Sequence, residues 1–284
     1  MANTFPAALT AEFVADEAIT TLGPILSAIG AFTYNVGVDR ISPGSTVQVP
    51  VVTAGATAGT NPSSYETNAD STKIAREVTV DQHSLSFHVT QAELNNGHRL
   101  RSLIGKNLQV IGNACRDAIF APITAANYGA AILDSTAADF GASDLKTIWA
   151  AGKDFPTKNL IIDGAYFAKL LPTDANSLAP GAGGAYGFDS IAMNNRWTGA
   201  EAKTIGFFGA ADSLAIASGE PVMDDEIQDL LSMYEAIELP GGLVAYVSSW
   251  TSLATRKRFM NISVMLGSAV GDATAGRIIS DGTV

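Results

Sequence analysis

The chain has 284 residues, of which 47% are hydrophobic, 16% charged and 8% aromatic, a balance that builds a packed core and excludes a disordered polyelectrolyte. Seventeen Lys and Arg stand against 28 Asp and Glu, a net charge of −11, which repels phosphate backbones at long range and argues against a dedicated nucleic-acid binder. The single cysteine, Cys115, cannot close an internal disulfide, so folding in a reducing compartment is expected. Arg40 is the first basic residue, and no run of about 18 apolar residues occurs, so neither a secretion signal nor a membrane span is expected.

Residues 8 to 30 read as helical, with Thr10 as N-cap and Phe13, Val14 and Ile19 on an apolar stripe that Gly23-Pro24 should break. The stretch either packs on the body or extends as an arm onto a neighbouring subunit. From Thr46 the period changes to two, with Val47, Val49 and Val51 alternating, and Pro50 marks an edge strand. Residues 53 to 73 are rich in Gly, Ala, Ser and Thr and cannot form a core of their own. A second strand follows, on which Val78 and Val80 alternate at even positions and Leu85, Phe87 and Val89 at odd ones. The change of parity predicts a bulge near Asp81 to Ser84. The two strands, 46–52 and 74–90, enclose a loop of about twenty residues, longer than compact domains usually hold, which predicts a projecting two-stranded arm.

A capping box, Thr90-Gln91-Ala92-Glu93, opens a predicted helix running to Ala126. Its apolar face is Ile104, Leu108, Ile111, Cys115, Ala118 and Pro122, with Arg99, Lys106, Asn113 and Asp117 opposite. At 1.5 Å per residue such a strut would be roughly 54 Å long. Gly97, Gly105 and Gly112 on it predict a close backbone approach or a bend. Helix and strand then alternate: 143–151 helical, 159–162 a strand, 165–171 a helix stopped by Pro172. Further strands are predicted at 205–208, 213–217, 231–238, 243–249 and 259–266, and a last one at Arg277 to Ser280.

Motifs that carry chemistry are weak. Gly181 to Gly187 resembles a phosphate loop, but Tyr186 occupies the place of the last glycine and no Lys-Ser or Lys-Thr pair follows. His83, His88 and His98 lack metal or triad spacing, and Cys115 falls on the apolar helix face. No cofactor is expected, and these histidines and the cysteine give no metal site. Between Lys203 and Arg256 there is no basic residue, while Asp212, Glu220, Asp224, Asp225, Glu226, Asp229, Glu235 and Glu238 are all acidic. A solvated face, a complement to basic patches on a partner, and a divalent-metal site all remain open for this stretch. The basic candidates for a partner are Arg99, Arg101, Lys106 and Arg116 on the long helix and the cluster Arg256-Lys257-Arg258.

This order of parts resembles the major capsid proteins of tailed bacteriophages, with the fold often called Hong Kong ninety-seven. The resemblance rests on the hairpin VQVPVV (47–52) to VTVDQHSLSFHV (78–89), the long helix after it, and the closing stretches Gly241 to Val247 and Val264 to Ala269. It implies an α+β chain: an N-terminal arm (1–40), a long β-hairpin called the E-loop (41–90), a peripheral domain with a spine helix (91–139), an α/β axial domain (140–245) and closing strands shared by the two domains (246–284). It implies pentamers and hexamers of this chain in an icosahedral shell that encloses double-stranded DNA without sequence-specific binding. The location implied is the virion, with synthesis in the bacterial host cytoplasm. A portal protein and a decoration protein follow as partners, and a separate scaffolding protein, because only about 40 residues precede the hairpin. Subunit contacts are expected at Tyr65, Lys73 and Arg76 of the hairpin, at Arg99, Arg101, Lys106 and Arg116, at Asp224, Asp225 and Glu226, and at Arg256, Lys257 and Arg258. Lys73 is the only lysine of the hairpin, and no asparagine or carboxylate is assigned to it, so no covalent crosslink is expected. Two other readings stand beside this one: an encapsulin-like nanocompartment shell, and an α/β small-molecule enzyme with the hairpin as an oligomerisation arm.

Overall fold

A computed structural model of the chain describes residues 11–26, 29–55, 60, 72–90, 97–171, 187–197, 203–222, 229–239, 242–252, 254–255 and 257–281. The first helix, α1 (Ala11–Leu26), buries Val14, Ala18, Leu22 and Leu26, one residue every turn, so it packs on the body and is not an extended arm. It also continues through Pro24 instead of breaking there. Proline costs about 3 kcal/mol inside a helix, but burial of the flanking leucines offsets much of it, each worth about 1.5–3 kcal/mol.

The long helix, α2 (Gly97–Phe120), buries Leu100, Ile104, Leu108, Ile111, Cys115, Ile119 and Phe120. The capping box at Thr90 to Glu93 lies largely outside the described residues. The helix stops at Phe120 rather than Ala126, which makes it roughly 36 Å long. Pro122 explains the stop: it has no N–H for the Ala118 carbonyl, which instead accepts the Ser268 hydroxyl at 2.8 Å. A single turn, α3 (Ala125–Tyr128), follows. The helix glycines serve close approach: a Cβ on Gly112 would lie 2.6 Å from Leu22 Cδ2 and 3.2 Å from Ile25 Cδ1 of α1.

The two helices cover one face of the larger sheet. Its strand order is β1 (Thr33–Ile41), β8 (Leu214–Pro221), β11 (Lys257–Val270), β10 (Leu243–Ser252) and β9 (Met233–Leu239), and β3 (Thr72–Val89) pairs with β11 and with β2 (Ser45–Ala54). Strand β1, which sequence reasoning assigned to the arm, runs parallel to β8, with Thr33 opposite Leu214. Met260, Ile262, Val264 and Leu266 of β11 point into the helix-covered core.

The smaller sheet has the order β4 (Leu133–Asp134), β12 (Gly276–Ser280), β7 (Thr204–Gly209), β5 (Asn159–Ile162) and β6 (Ser190–Met193). It carries α4 (Ala142–Ala151) and α5 (Gly164–Phe167), the latter capped by Asp163, whose carboxylate accepts the Ala165 N–H at 2.9 Å. Adjacent residues of β7 point to opposite faces and join the two bodies: Phe207 enters the helix-covered core beside Tyr128, and Phe208 enters the second core with Leu145, Ile148 and Phe188. The sheets do not divide at residue 245 as expected. Strands β8 to β10 belong with the long helix, and β12 returns to the smaller sheet. The crossing points are tied by Gly271 N–H to Ser213 O at 3.0 Å and Asp272 N–H to Asp212 O at 2.8 Å.

Candidate assembly surfaces

Strands β2 and β3 form the expected hairpin, with Val47 opposite Val78, Val49 opposite Arg76 and Val51 opposite Ile74. Pro50 is tolerated because β2 pairs only with β3 and so is an edge. The base of the hairpin is fixed to the body. Val49, Val51, Val78 and Val80 pack on Ala215, Ala217 and Met265 across the face of the larger sheet that the helices leave open. The Arg76 Nε donates to the Gly271 carbonyl at 2.9 Å.

The expected bulge at Asp81 to Ser84 is absent: β3 pairs with β11 without a break from Asp81 opposite Leu266 to Val89 opposite Arg258. The parity change has a different cause. The even residues Val78 and Val80 face the hairpin core, and Phe87 and Val89 face the helix-covered core on the other side of the sheet. One straight strand thus serves two cores, which mimics a bulge in a sequence pattern.

At the outer end of the described ladder the hairpin exposes side chains. Val52 is 49% exposed and Ile74 is 37% exposed, and Lys73 beside them is exposed too. Val52 carried a signal in the sequence, since it is an apolar residue out of step with Val47, Val49 and Val51.

The basic residues separate into two groups. Arg101 pairs with Glu17 of α1 at 3.0 Å and stacks over the Phe13 ring at 5.3 Å. Arg116 donates to Asn113 Oδ1 at 3.1 Å, and burial pulls its guanidinium below the ordinary value, opposed by Asp117. Arg258 Nη2 donates to the Ser249 hydroxyl at 3.4 Å. Arg76, Arg101 and Arg258 join different elements of the chain, and Arg116 is held within α2. Lys73, Lys106 and Lys257 are exposed, and Arg99 is exposed but also engaged by an interaction of its own. Tyr65, Asp224, Asp225, Glu226 and Arg256 lie outside the described residues. Because the Arg101 side chain is 60% exposed and solvent screens its half of the pair, Arg101→Ala is expected to cost about 1 kcal/mol in a thermal melt and to leave association unchanged.

Of the histidines, His83 faces a groove of about 280 Å³ between β3 and α2, lined also by Gln82, Ser84, Leu85, Val110, Ile111 and Ala114. Burial lowers its pKa and the charge of Asp81 opposes the shift. The folded state therefore favours neutral imidazole, and stability from this site is full above the unfolded value of about 6.5 and declines as pH falls from there through the lower folded value. His83→Gln is expected to flatten the fall in melting temperature between about pH 7.5 and 5.5. An unchanged slope would remove His83 as a source of it. His88 stands 6.2 Å from the Phe259 ring, and burial pushes the Cys115 thiol up to about 12, so it is unreactive at neutral pH. Among the described residues no group of three His, Cys, Asp or Glu side chains could hold a metal ion.

No protein-family model and no curated protein sequence matches the chain. Solved structures do. A virus-like particle from Pyrococcus furiosus matches with a TM-score of 0.55 at 12% identity, over 95% of this chain and 99% of that one. The capsid of an empty GTA particle matches at 0.54 and 13% identity, over 100% and 94%, and a structure of the Microbacterium phage Oxtober96 at 0.53 and 16%, over 90% of each. The chain has the tailed-phage capsid fold. Coverage is nearly complete in both directions, so the hairpin, the long helix and both sheets are parts of the capsid fold and not additions to it. Identities of 12–16% explain why sequence comparison finds no relative.

Proposed function

We propose that this chain is the major capsid protein of a tailed bacteriophage. Copies join through pentamers and hexamers into an icosahedral shell around double-stranded DNA. The observation that carries this reading is the hairpin of the capsid fold: near Val52 and Lys73 its two strands pair only with each other, and they expose the apolar residues Val52 and Ile74. Such a two-stranded ribbon is marginal in water alone and becomes ordered by lying on another copy. The net charge of −11 suits a wall that does not grip its contents. The role is structural and not enzymatic, and the protein resides in the virion after synthesis in the host cytoplasm. A separate scaffolding protein, a portal protein and a decoration protein complete the set of partners.

In this reading 41–90 is the E-loop, α2 is the spine of the peripheral domain, and the smaller sheet is the axial domain. Lys73, Arg99, Lys106 and Lys257 are the described basic residues that meet other copies, and the acidic stretch around Asp224 to Glu226 meets basic ones. Sedimentation velocity and light scattering on the purified chain, expressed alone and with neighbouring genes, test it. Capsomers or larger closed species are expected; a monomer or dimer under every condition would overturn the proposal.

A further inference from the structure

The groove between α2 and β3 has an opening with a definite chemistry. Lys106, Val110 and Ala114 follow one another at helical spacing of four along the exposed side of α2, and Val110 is 57% exposed. Leu85, Ile111 and Ala114 give the groove an apolar lining, and Gln82, His83 and Ser84 give it a polar edge. At about 280 Å³ it falls at or below the range of about 300–1,000 Å³ typical of small-molecule sites, so a side chain suits it better than a cofactor. Lys106, one turn from Val110, makes no ion pair among the described residues.

The complementary feature lies at the far side of the larger sheet. Leu230, just before β9, is 78% exposed, and the preceding Asp229 is exposed and makes no ion pair among the described residues. An acidic residue beside an aliphatic one matches a lysine beside an apolar groove. The two features do not meet within this chain: Leu230 is not part of the groove lining, and Asp229 makes no ion pair with Lys106. Phe259 of β11 pairs with His88 of β3 on one side and with Trp250 of β10 on the other, and β9 lies beyond β10. Strands β3 and β9 are therefore about 14 Å apart, three strand spacings. Ser232, two residues after Leu230, is held to the Ser249 carbonyl of β10 at 2.7 Å, and two residues reach only about 7 Å.

We infer that Leu230 of one copy inserts into the α2–β3 groove of a second copy, with Asp229 against Lys106. This rests on the shell reading and adds to it a particular contact between copies. The contact is head-to-tail, joining one edge of the sheet to the opposite edge of the next copy, and such contacts generate rings when the rotation closes. Charge complementarity sets the register and Leu230 supplies the buried anchor.

The test uses the full chain in two parts. In the first, Lys106→Glu and Asp229→Lys are made singly and together. Each single variant should lower the assembled fraction about tenfold in sedimentation, with unchanged circular dichroism, and the double variant should restore it. Single variants that assemble like the parent, or a double variant no better than the singles, would overturn the contact. In the second part, Val110→Cys and Leu230→Cys chains are co-expressed and oxidised. A disulfide-linked mixed dimer is expected, absent when either variant is expressed alone. Particles that form without this crosslink would show that another occupant, or none, fills the groove, and the inference fails while the shell reading stands. Crosslinked copies that never form particles would do the reverse. Neither crosslink nor particles would sink both.

Discussion

Replacing residues 55–71 with Asn-Gly, so that Ala54 and Thr72 are joined by a tight turn, is expected to leave a folded subunit that closes no shells. The two strands keep their pairing, since Val47 to Val52 remain opposite Val78 to Lys73, and an Asn-Gly turn matches the twist of a two-residue hairpin. The base stays seated on Ala215, Ala217 and Met265, so the melting temperature should change little. What is lost is the segment that joins the two strands, 55–71, which is too poor in large apolar residues to form a core of its own. Electron microscopy of the variant decides the matter: closed particles of normal size would show that the hairpin tip is dispensable and that the assembly contacts lie elsewhere.

Gly267→Ala acts at the other end of the same hairpin. A Cβ at this position would run into the backbone carbonyl of Thr79, and Val78 Cγ1 would lie 3.0 Å away. Neither backbone can retreat, because Thr79 is paired with Thr46 across the hairpin and Gly267 with Ala217 across the sheet. Overpacking of this kind costs about 1–3 kcal/mol, and here it can be relieved only by lifting β2 and β3 off β11. At about 2–4 °C per kcal/mol for a chain approaching this size, a fall of several degrees in melting temperature is expected. Amide exchange should accelerate at Val78 to Val80 while buried positions of α2 such as Ile104 and Leu108 stay protected. Unchanged melting and exchange would mean that the hairpin base is not seated on β11.

Much of this architecture was legible in the sequence, and the parts that were not have physical reasons. The buried stripe of α2, from Ile104 to Cys115, repeats at three and four because one helix face meets one sheet, and such a pattern survives in any context. The hairpin was visible through the alternation of Val47, Val49 and Val51. Strand β1 was not, because its register is set by β8, far along the chain, and not by a hairpin partner beside it. Strands β4 and β6, of two and four residues, are too short for a period to register. The parity change in β3 is visible but imitates a bulge, since a sequence reports which side chains are apolar and not which of two cores they enter.

The assembly surfaces are less legible in the sequence for a related reason. Charge alone does not separate an arginine that braces its own subunit from one that meets another. Arg76, Arg101, Arg116 and Arg258 are occupied within the chain, while Lys73, Lys106 and Lys257 are presented outward. The long, flexible ammonium side chains suit exposed contacts, and the planar guanidinium groups suit the fixed acceptors found here, Glu17, Asn113, Ser249 and the Gly271 carbonyl.

Cryo-electron microscopy of particles purified after co-expression with the neighbouring genes shows whether copies of this chain form a closed shell. Icosahedral particles are expected, in which pentamers and hexamers tile the wall and the β2–β3 hairpin of each copy lies across an adjacent one. Particles with no such hairpin contact, or a discrete small oligomer with the hairpin free in solvent, would contradict this expectation.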